Sequence, residues 1–330
     1  MAKVFITRLI PEVGIKMLRD RGFEVVVNEA AENRPATKEE MIKALQQAHG
    51  EGKPFNAILS VLTDKIDGEI IDAGLPTLKI IANYAVGFDN IDLEAAKQRN
   101  IMVTNTPGVL TNTVAEHTFS LLLSIAHRIS EGDRFNRAGK YNAWGPKMLL
   151  GTDVSGKILG IIGLGRIGSR VAHHAVKGFG MKVIYTDPKP NPEFEEEYNA
   201  QFIEKLEDLL PQADFVSIHV PLLDSTHHLI NEARLKLMKK TAYLINTSRG
   251  PIIDEKALAL SLSQGWIRGA AIDVFEFEPE ITPKLKELDN IIITPHIASA
   301  TEETRNKMAE LAAQNIIEAL EGRVPPNLVK

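Results

Sequence analysis

The chain contains no cysteine. Disulfide frameworks, thiolate nucleophiles and cysteine-based zinc or iron–sulfur sites are therefore excluded together. A long hydrophobic run is missing too: residues 1–11 hold only a short apolar stretch before helix-like 12–21. That is not the apolar region of a signal peptide, and the expected location is the cytoplasm, away from any membrane. There is no excess of positive charge, the formal net charge being −5. Without a global positive field to collect phosphates, nucleic acid is not expected as a partner. Neither a His-Glu-x-x-His spacing nor a Gly-x-Ser-x-Gly elbow occurs, so zinc-protease and serine-hydrolase chemistry are disfavoured and no metal is expected. No solenoid-period repeat or low-complexity segment is visible. What remains is 330 residues with 44% hydrophobic and 25% charged side chains, an ordinary globular composition long enough for two cores.

Short β-branched runs alternate with amphipathic, helix-length stretches in two series. The first comprises 4–7, 25–27, 57–61 and 78–82; the second comprises 158–162, 182–185, 215–219, 242–246, 269–272 and 291–294. That rhythm predicts βαβ units and parallel sheets in an α/β fold. Between the series, residues 111–137 read as a largely buried spine helix, with Thr113 and Glu116 at capping-box spacing. Residues 138–152, which include Trp144, read as an excursion. A last helix over 302–320, opened by a capping box from Ser299 to Glu302, needs a partner surface that periodicity does not identify.

After the run 158–162 comes Gly163-Leu164-Gly165-Arg166-Ile167-Gly168, opening a helix-like stretch to about Phe179. Gly163 allows a tight turn, Gly165 lets a pyrophosphate approach the backbone, and Gly168 lets helix and strand pack closely. Asp187 ends the next strand nineteen positions past Gly168, where a carboxylate takes ribose hydroxyls. The plainer alternative is a helix-packing glycine set with Asp187 as a turn residue; a methyltransferase also uses such glycines. Asp187 favours NAD over NADP by repelling a 2'-phosphate, and Lys189 offsets part of that repulsion.

Two further strand ends carry reactive side chains. Arg249 follows 242–245 in Asn246-Thr247-Ser248-Arg249-Gly250, at the edge where open α/β sheets bind ligands, and its fork can clamp a carboxylate. An arginine capping a surface turn is the alternative. His296 follows Pro295 after 291–294 and could deliver a proton, although most lone histidines are structural. A cation on the carboxylate and a proton donor are what the reduction of a 2-keto acid requires. Glu278 could pair with His296 and favour its protonated form; Asp273 and Glu276 compete for that role.

These residues, together with Tyr84-Ala85-Val86-Gly87-Phe88-Asp89-Asn90-Ile91-Asp92 and Thr113-Val114-Ala115-Glu116, resemble the D-isomer-specific 2-hydroxyacid dehydrogenase family over nearly the whole chain. Within it, the glyoxylate and hydroxypyruvate reductases are most similar. The resemblance implies two Rossmann-like domains with parallel sheets, an NAD(P)-binding domain (101–297) inserted into a flavodoxin-like substrate-binding domain (1–100 and 298–330). It implies hinges near Asn100 and Ile297, with substrate closed between the domains. It implies that Arg249 binds substrate, that His296 is the acid/base paired with Glu278, and that Val86, Gly87 and Leu62 contact the acid. For the cofactor it points to Thr113, Gly163, Gly165, Arg166, Ile167, Gly168, Asp187, His219, Pro221, Thr226, Thr247, Arg249, Asp273 and His296. A homodimer built through the inserted domain is implied as well, with Trp144 either entering the neighbour's pocket or packed in the core. The family's formate dehydrogenases carry glutamine where this chain has Glu278, and many phosphoglycerate dehydrogenases have a regulatory extension past the position of Lys330. D-lactate or phosphoglycerate dehydrogenase activity stays open, as does an NAD-sensing binding protein like the C-terminal-binding corepressors. The retained Arg249, Glu278 and His296, without a disordered recognition tail, favour an enzyme.

Overall fold

The computed structural model describes residues 1–31 and 34–329. Its two compact units are Met1–Leu110 with Ala300–Lys330, and Thr111–Ser299. In the first unit, strands β1 (Lys3–Ile6), β2 (Glu24–Val27), β3 (Ala57–Val61), β4 (Ile80–Tyr84) and β5 (Met102–Thr104) pair in parallel in the order β2-β1-β3-β4-β5. This is the flavodoxin-like order. The central strands read AILSV and IIANY and are almost wholly buried, because a parallel sheet is covered on both faces.

The boundary expected after Asn100 moves to Leu110. Residues 101–110 stay with the first unit because β5 pairs with β4, Met102 opposite Ile80, and a strand of three residues is too short to register as a periodic run. The return crossing moves from 298 to 300, since the Ala298 amide is held by Asp273 of the second unit at 2.7 Å. The last helix, Glu302–Leu320, buries Met308, Ala309, Ala312, Ala313 and Ile316. It packs on β4 and on the helix Glu12–Asp20. Gly14 is required there, since a Cβ would lie 2.8 Å from the Ala309 carbonyl oxygen. The helix is capped by Thr301, whose side chain accepts the Thr304 amide, and not by Ser299 as its spacing suggested.

In the second unit, β6 (Ile158–Ile162), β7 (Lys182–Thr186), β8 (Gln201–Phe202), β9 (Phe215–Ile218), β10 (Tyr243–Asn246), β11 (Gly269–Ile272) and β12 (Ile291–Ile293) form a parallel sheet. Its order is β12-β11-β10-β9-β6-β7-β8. The chain winds outward from β6 to β8, then returns to β9 on the other side, so the topological switch lies beside β6. The spine helix expected over 111–137 is two helices, Thr111–Ala126 and Ile129–Arg137, broken at Arg128 with φ 55°. Thr113 accordingly lies inside the first of them and not at its cap. Trp144 is 77% exposed, which removes the core alternative. Among the described residues no helix is long and apolar enough to cross a membrane.

Candidate active site

The glycine turn follows directly from β6. Gly163 has φ +93°, and a Cβ there would lie 2.8 Å from Val220 Cγ1 and 2.9 Å from the His219 backbone, so angle and space both demand glycine. A Cβ on Gly168 would sit 2.2 Å from the Gly163 carbonyl oxygen. Gly165 is different: it is the N-cap of the helix Arg166–Phe179, and a Cβ there would meet nothing within 4 Å. An anion approaching along Gly165 reaches bare backbone at the positive end of a 14-residue helix. Asp187, just past β7, accepts the Leu164 amide at 2.7 Å through Oδ2. With Leu164, Lys189, Pro190 and Asn191 it lines a cavity of about 510 Å³. An open glycine, a helix N-terminus and a carboxylate tethered beside them fit a dinucleotide.

The other residues expected around the cofactor sit at strand ends and first turns of the same unit. Arg166 is exposed and Ile167 half-buried on the first turn of their helix, and Thr113 is in the first turn of Thr111–Ala126. His219 follows β9 and shares a 2.8 Å hydrogen bond with Ser217 Oγ through Nε2. Burial by its surroundings pushes this imidazole down to about 3, so it is neutral near pH 7, although part of the residue remains open to solvent. Thr226 Oγ1 donates to the Pro221 carbonyl at 2.7 Å and accepts the Leu223 amide at 2.8 Å, closing that loop on itself. Thr247 Oγ1 meets Thr118 Oγ1 at 2.8 Å in the core.

Arg249 starts from a braced turn. Buried Asn246 donates from Nδ2 to the Arg249 carbonyl at 2.9 Å and accepts the Ser248 amide at 3.0 Å. Gly250 then presses against segment 273–279, where its Cβ would lie 1.9 Å from the Phe275 carbonyl carbon. The arginine turn and the acidic segment thus meet backbone to backbone.

His296 has φ +54°, a left-handed conformation that costs a non-glycine residue about 1–3 kcal/mol and persists only where its surroundings impose it. Asp273 imposes it. Its carbonyl accepts the His296 amide at 2.8 Å, and its carboxylate accepts the amides of Ile297 at 2.9 Å and Ala298 at 2.7 Å and the Thr294 hydroxyl at 2.6 Å. Burial pushes the Asp273 carboxyl up, but the His117 imidazole 3.6 Å away and hydrogen bonds from Thr294, Ile297 and Ala298 outweigh it and hold the group below its usual value. Of the three acids weighed as partner to His296, Glu278 is the one whose carboxylate reaches the imidazole: its Oε2 lies 3.0 Å from His296 Nδ1, while Oε1 accepts the Phe275 amide at 3.0 Å. Glu276 instead pairs with His228 Nε2 at 2.8 Å. A carboxylate at Nδ1 favours the tautomer that carries its proton there.

In the first unit, half-buried Leu62 follows β3, and Val86 and Gly87 follow β4. The Thr106 amide donates to the Ala85 carbonyl at 2.8 Å and Asn105 Nδ2 donates to the Val86 carbonyl at 2.7 Å. Those two bonds fix the peptide planes that carry the Val86 and Gly87 amides. Buried Asn83 adds a 2.9 Å bond to the Gly87 carbonyl. Sequence reasoning gave Asn83, Asn105, Asn246 and His117 no role; the one signal available was a polar residue inside an apolar strand, as in IIANY.

A doubly wound dinucleotide fold with a braced arginine and a carboxylate-paired histidine at its strand ends defines a nucleotide-dependent oxidoreductase. Residues 119–298 match the family described as D-isomer specific 2-hydroxyacid dehydrogenase, NAD binding domain. The glyoxylate reductase of Pyrococcus horikoshii is 50% identical over 331 residues, covering 99% of this chain and 95% of that protein. A crystal structure of a Thermus thermophilus protein superimposes with a TM-score of 0.91 at 42% identity, over 99% of this chain and 100% of that one. The NADPH-dependent glyoxylate/hydroxypyruvate reductase of Sinorhizobium meliloti, solved with NADP and malonate, gives a TM-score of 0.84 at 29% identity, over 99% and 96% of the two chains. The chain belongs to the D-isomer-specific 2-hydroxyacid dehydrogenase family, and the unit Thr111–Ser299 contains its NAD-binding domain.

Proposed function

We propose that this protein reduces a small 2-keto acid, glyoxylate or hydroxypyruvate first, to the D-2-hydroxy acid with NADH, NADPH serving as a second donor. When bound, the reduced nicotinamide supplies the hydride that C2 of the acid receives. Arg249 holds the carboxylate bidentately and polarises the adjacent carbonyl. His296 passes the Nε2 proton to the carbonyl oxygen, so that one hydride and one proton complete the alcohol, and Glu278 steadies the imidazole through Nδ1. Val86 and Gly87 amides hold the carboxylate and Leu62 lines the pocket, which makes the first unit the substrate-binding one. The observation that carries the reading is the 3.0 Å His296–Glu278 contact in the unit that also holds the glycine turn. Similarity to glyoxylate reductases supports the choice of acid.

The protein is proposed to act as a homodimer in the cytoplasm, joined through the inserted unit. Trp144, Tyr141, Ile129 and Leu150 are all at least half exposed there, and Trp144 is the side chain proposed to enter the neighbour's site. Following NADH and NADPH absorbance with a panel of 2-keto acids tests the assignment. Turnover fastest with glyoxylate or hydroxypyruvate is expected. Turnover confined to pyruvate or a phosphorylated keto acid would point to the lactate or phosphoglycerate members, and none at all to an NAD-sensing binding protein.

A further inference from the structure

We propose that Glu255 is a positioning residue for the acid/base pair, its buried carboxylate fastening both ends of the loop that carries Glu278. The inference rests on the reading of His296 and Glu278 given above.

Glu255 is 1% exposed, and a carboxylate so placed is costly unless its oxygens are satisfied. Helix capping does not account for it: Asp254 caps the helix Glu255–Gln264 by accepting the Ala257 amide at 3.0 Å. The Glu255 oxygens turn the other way. Oε1 accepts the Glu276 amide at 2.7 Å and Oε2 accepts the Thr282 amide at 3.1 Å. Glu276 returns the contact, accepting the Glu255 amide at 3.2 Å through Oε2 while its Oε1 meets His228 Nε2 at 2.8 Å. Between those two fastened amides sits Glu278.

The tip of this loop has little packing of its own. Phe277 is 58% exposed; the tip is held by the Glu280 amide donating to the Phe277 carbonyl at 2.9 Å and by the Glu278 side chain, while Ile281 packs against the core. The backbone on either side of that tip is fastened by the two Glu255 oxygens. Glu255 lies six positions past Arg249, with Gly250 pressed on Phe275 between them, so one short segment carries Arg249 and fastens the loop of Glu278. The titratable and charged groups bonded to this loop and to the His296 turn are Glu276 with His228, Glu255, and Asp273 with His117.

Glu255→Gln tests this, because the amide keeps the shape but turns one acceptor into a donor facing an N–H. The expected result is a fall in kcat for keto-acid reduction of about tenfold to a hundredfold, with NADH affinity by fluorescence titration unchanged. KM for the keto acid should hold, so that the loss lies in kcat alone, as in Glu278→Gln but smaller, since the proton donor is less well placed. Thr282→Pro is the second variant: it removes the N–H together with the threonine side chain, at a backbone φ of −47° that proline tolerates, and should lower kcat in the same way. A combined Glu255→Gln, Glu278→Gln variant should match Glu278→Gln alone. A lowered Tm with an unmoved kcat, or independent effects in the combined variant, would overturn the role of Glu255 while leaving the acid/base pair standing. An unmoved kcat in Glu278→Gln itself would overturn both.

Discussion

In the first unit the carboxyl edge of the sheet offers backbone: the amides of Val86 and Gly87, aimed by Thr106 and Asn105. In the inserted unit the same edge offers side chains, Arg249 after β10 and His296 after β12, each set by a buried polar neighbour, Asn246 or Asp273. The two edges use one device, a buried hydrogen-bonding side chain that fixes local geometry at a strand end, to present different chemistry. Amides can hold a carboxylate but cannot transfer a proton at neutral pH, whereas an imidazole can do so. Binding should therefore respond to changes at either edge, and proton transfer only at the second.

The largest test of that division is His296→Asn. Turnover should fall by about 10²- to 10⁴-fold, the usual worth of a positioned proton donor, while NADH titration by fluorescence changes little. A matching loss of NADH affinity would break the division, because it would place the imidazole's main work on the cofactor. Asp187→Ala should come next. Removing the carboxylate that repels a 2'-phosphate should narrow the ratio of NADH to NADPH efficiency on the order of tenfold, about 1.4 kcal/mol of discrimination. Steady-state kinetics with both donors measures it, and an unchanged ratio would remove Asp187 from the ribose site.

Asn105→Ala addresses the backbone edge. It deletes the 2.7 Å bond to the Val86 carbonyl and frees the peptide that carries the Gly87 amide, so KM for the keto acid should rise about two- to tenfold, the worth of one hydrogen bond. kcat and NADH affinity should hold. A change in kcat without one in KM would mean that the first unit's edge takes part in more than binding.

This contrast also explains what was legible in the sequence. The glycine turn could be read because each glycine answers a different steric demand, and the structure shows three: a positive φ, a backbone contact at 2.2 Å, and an open approach. Arg249 and His296 could be read because their residue types carry the chemistry. Val86 and Gly87 could not, since every residue has an amide and only the fold decides which ones face outward; the resemblance alone pointed to them. Choosing Glu278 over Glu276 was equally out of reach. The two acids lie two positions apart on one loop, and their separate partners, His296 and His228, come from distant parts of the chain. The same limit hid β5, which becomes a strand only because β4 lies beside it, and the break at Arg128, a residue whose left-handed φ no local pattern announces.

A smaller effect separates two histidines of the inserted unit by what their protons do. His296 is the proposed proton donor, whereas burial pushes His219 down from 6.5 to about 3, so it works as a neutral hydrogen-bonding group beside Ser217. The sign of the linked stability follows. Below pH 6.5 the unfolded chain protonates this imidazole while the folded chain does not, so the contribution turns against folding as pH falls, and continues to do so until the folded value is reached. Asp273 acts in a lower window: its folded value is depressed below 3.8, so its contribution is lost only on further acidification. Between about pH 7 and about pH 5 the two can thus be separated. His219→Gln keeps a polar partner for Ser217 and removes the titration, so the drop in urea midpoint between those two pH values should be shallower than in the parent protein. An equal drop would show that His219 takes up its proton in the folded state as readily as in the unfolded one, and would erase the distinction between the two imidazoles.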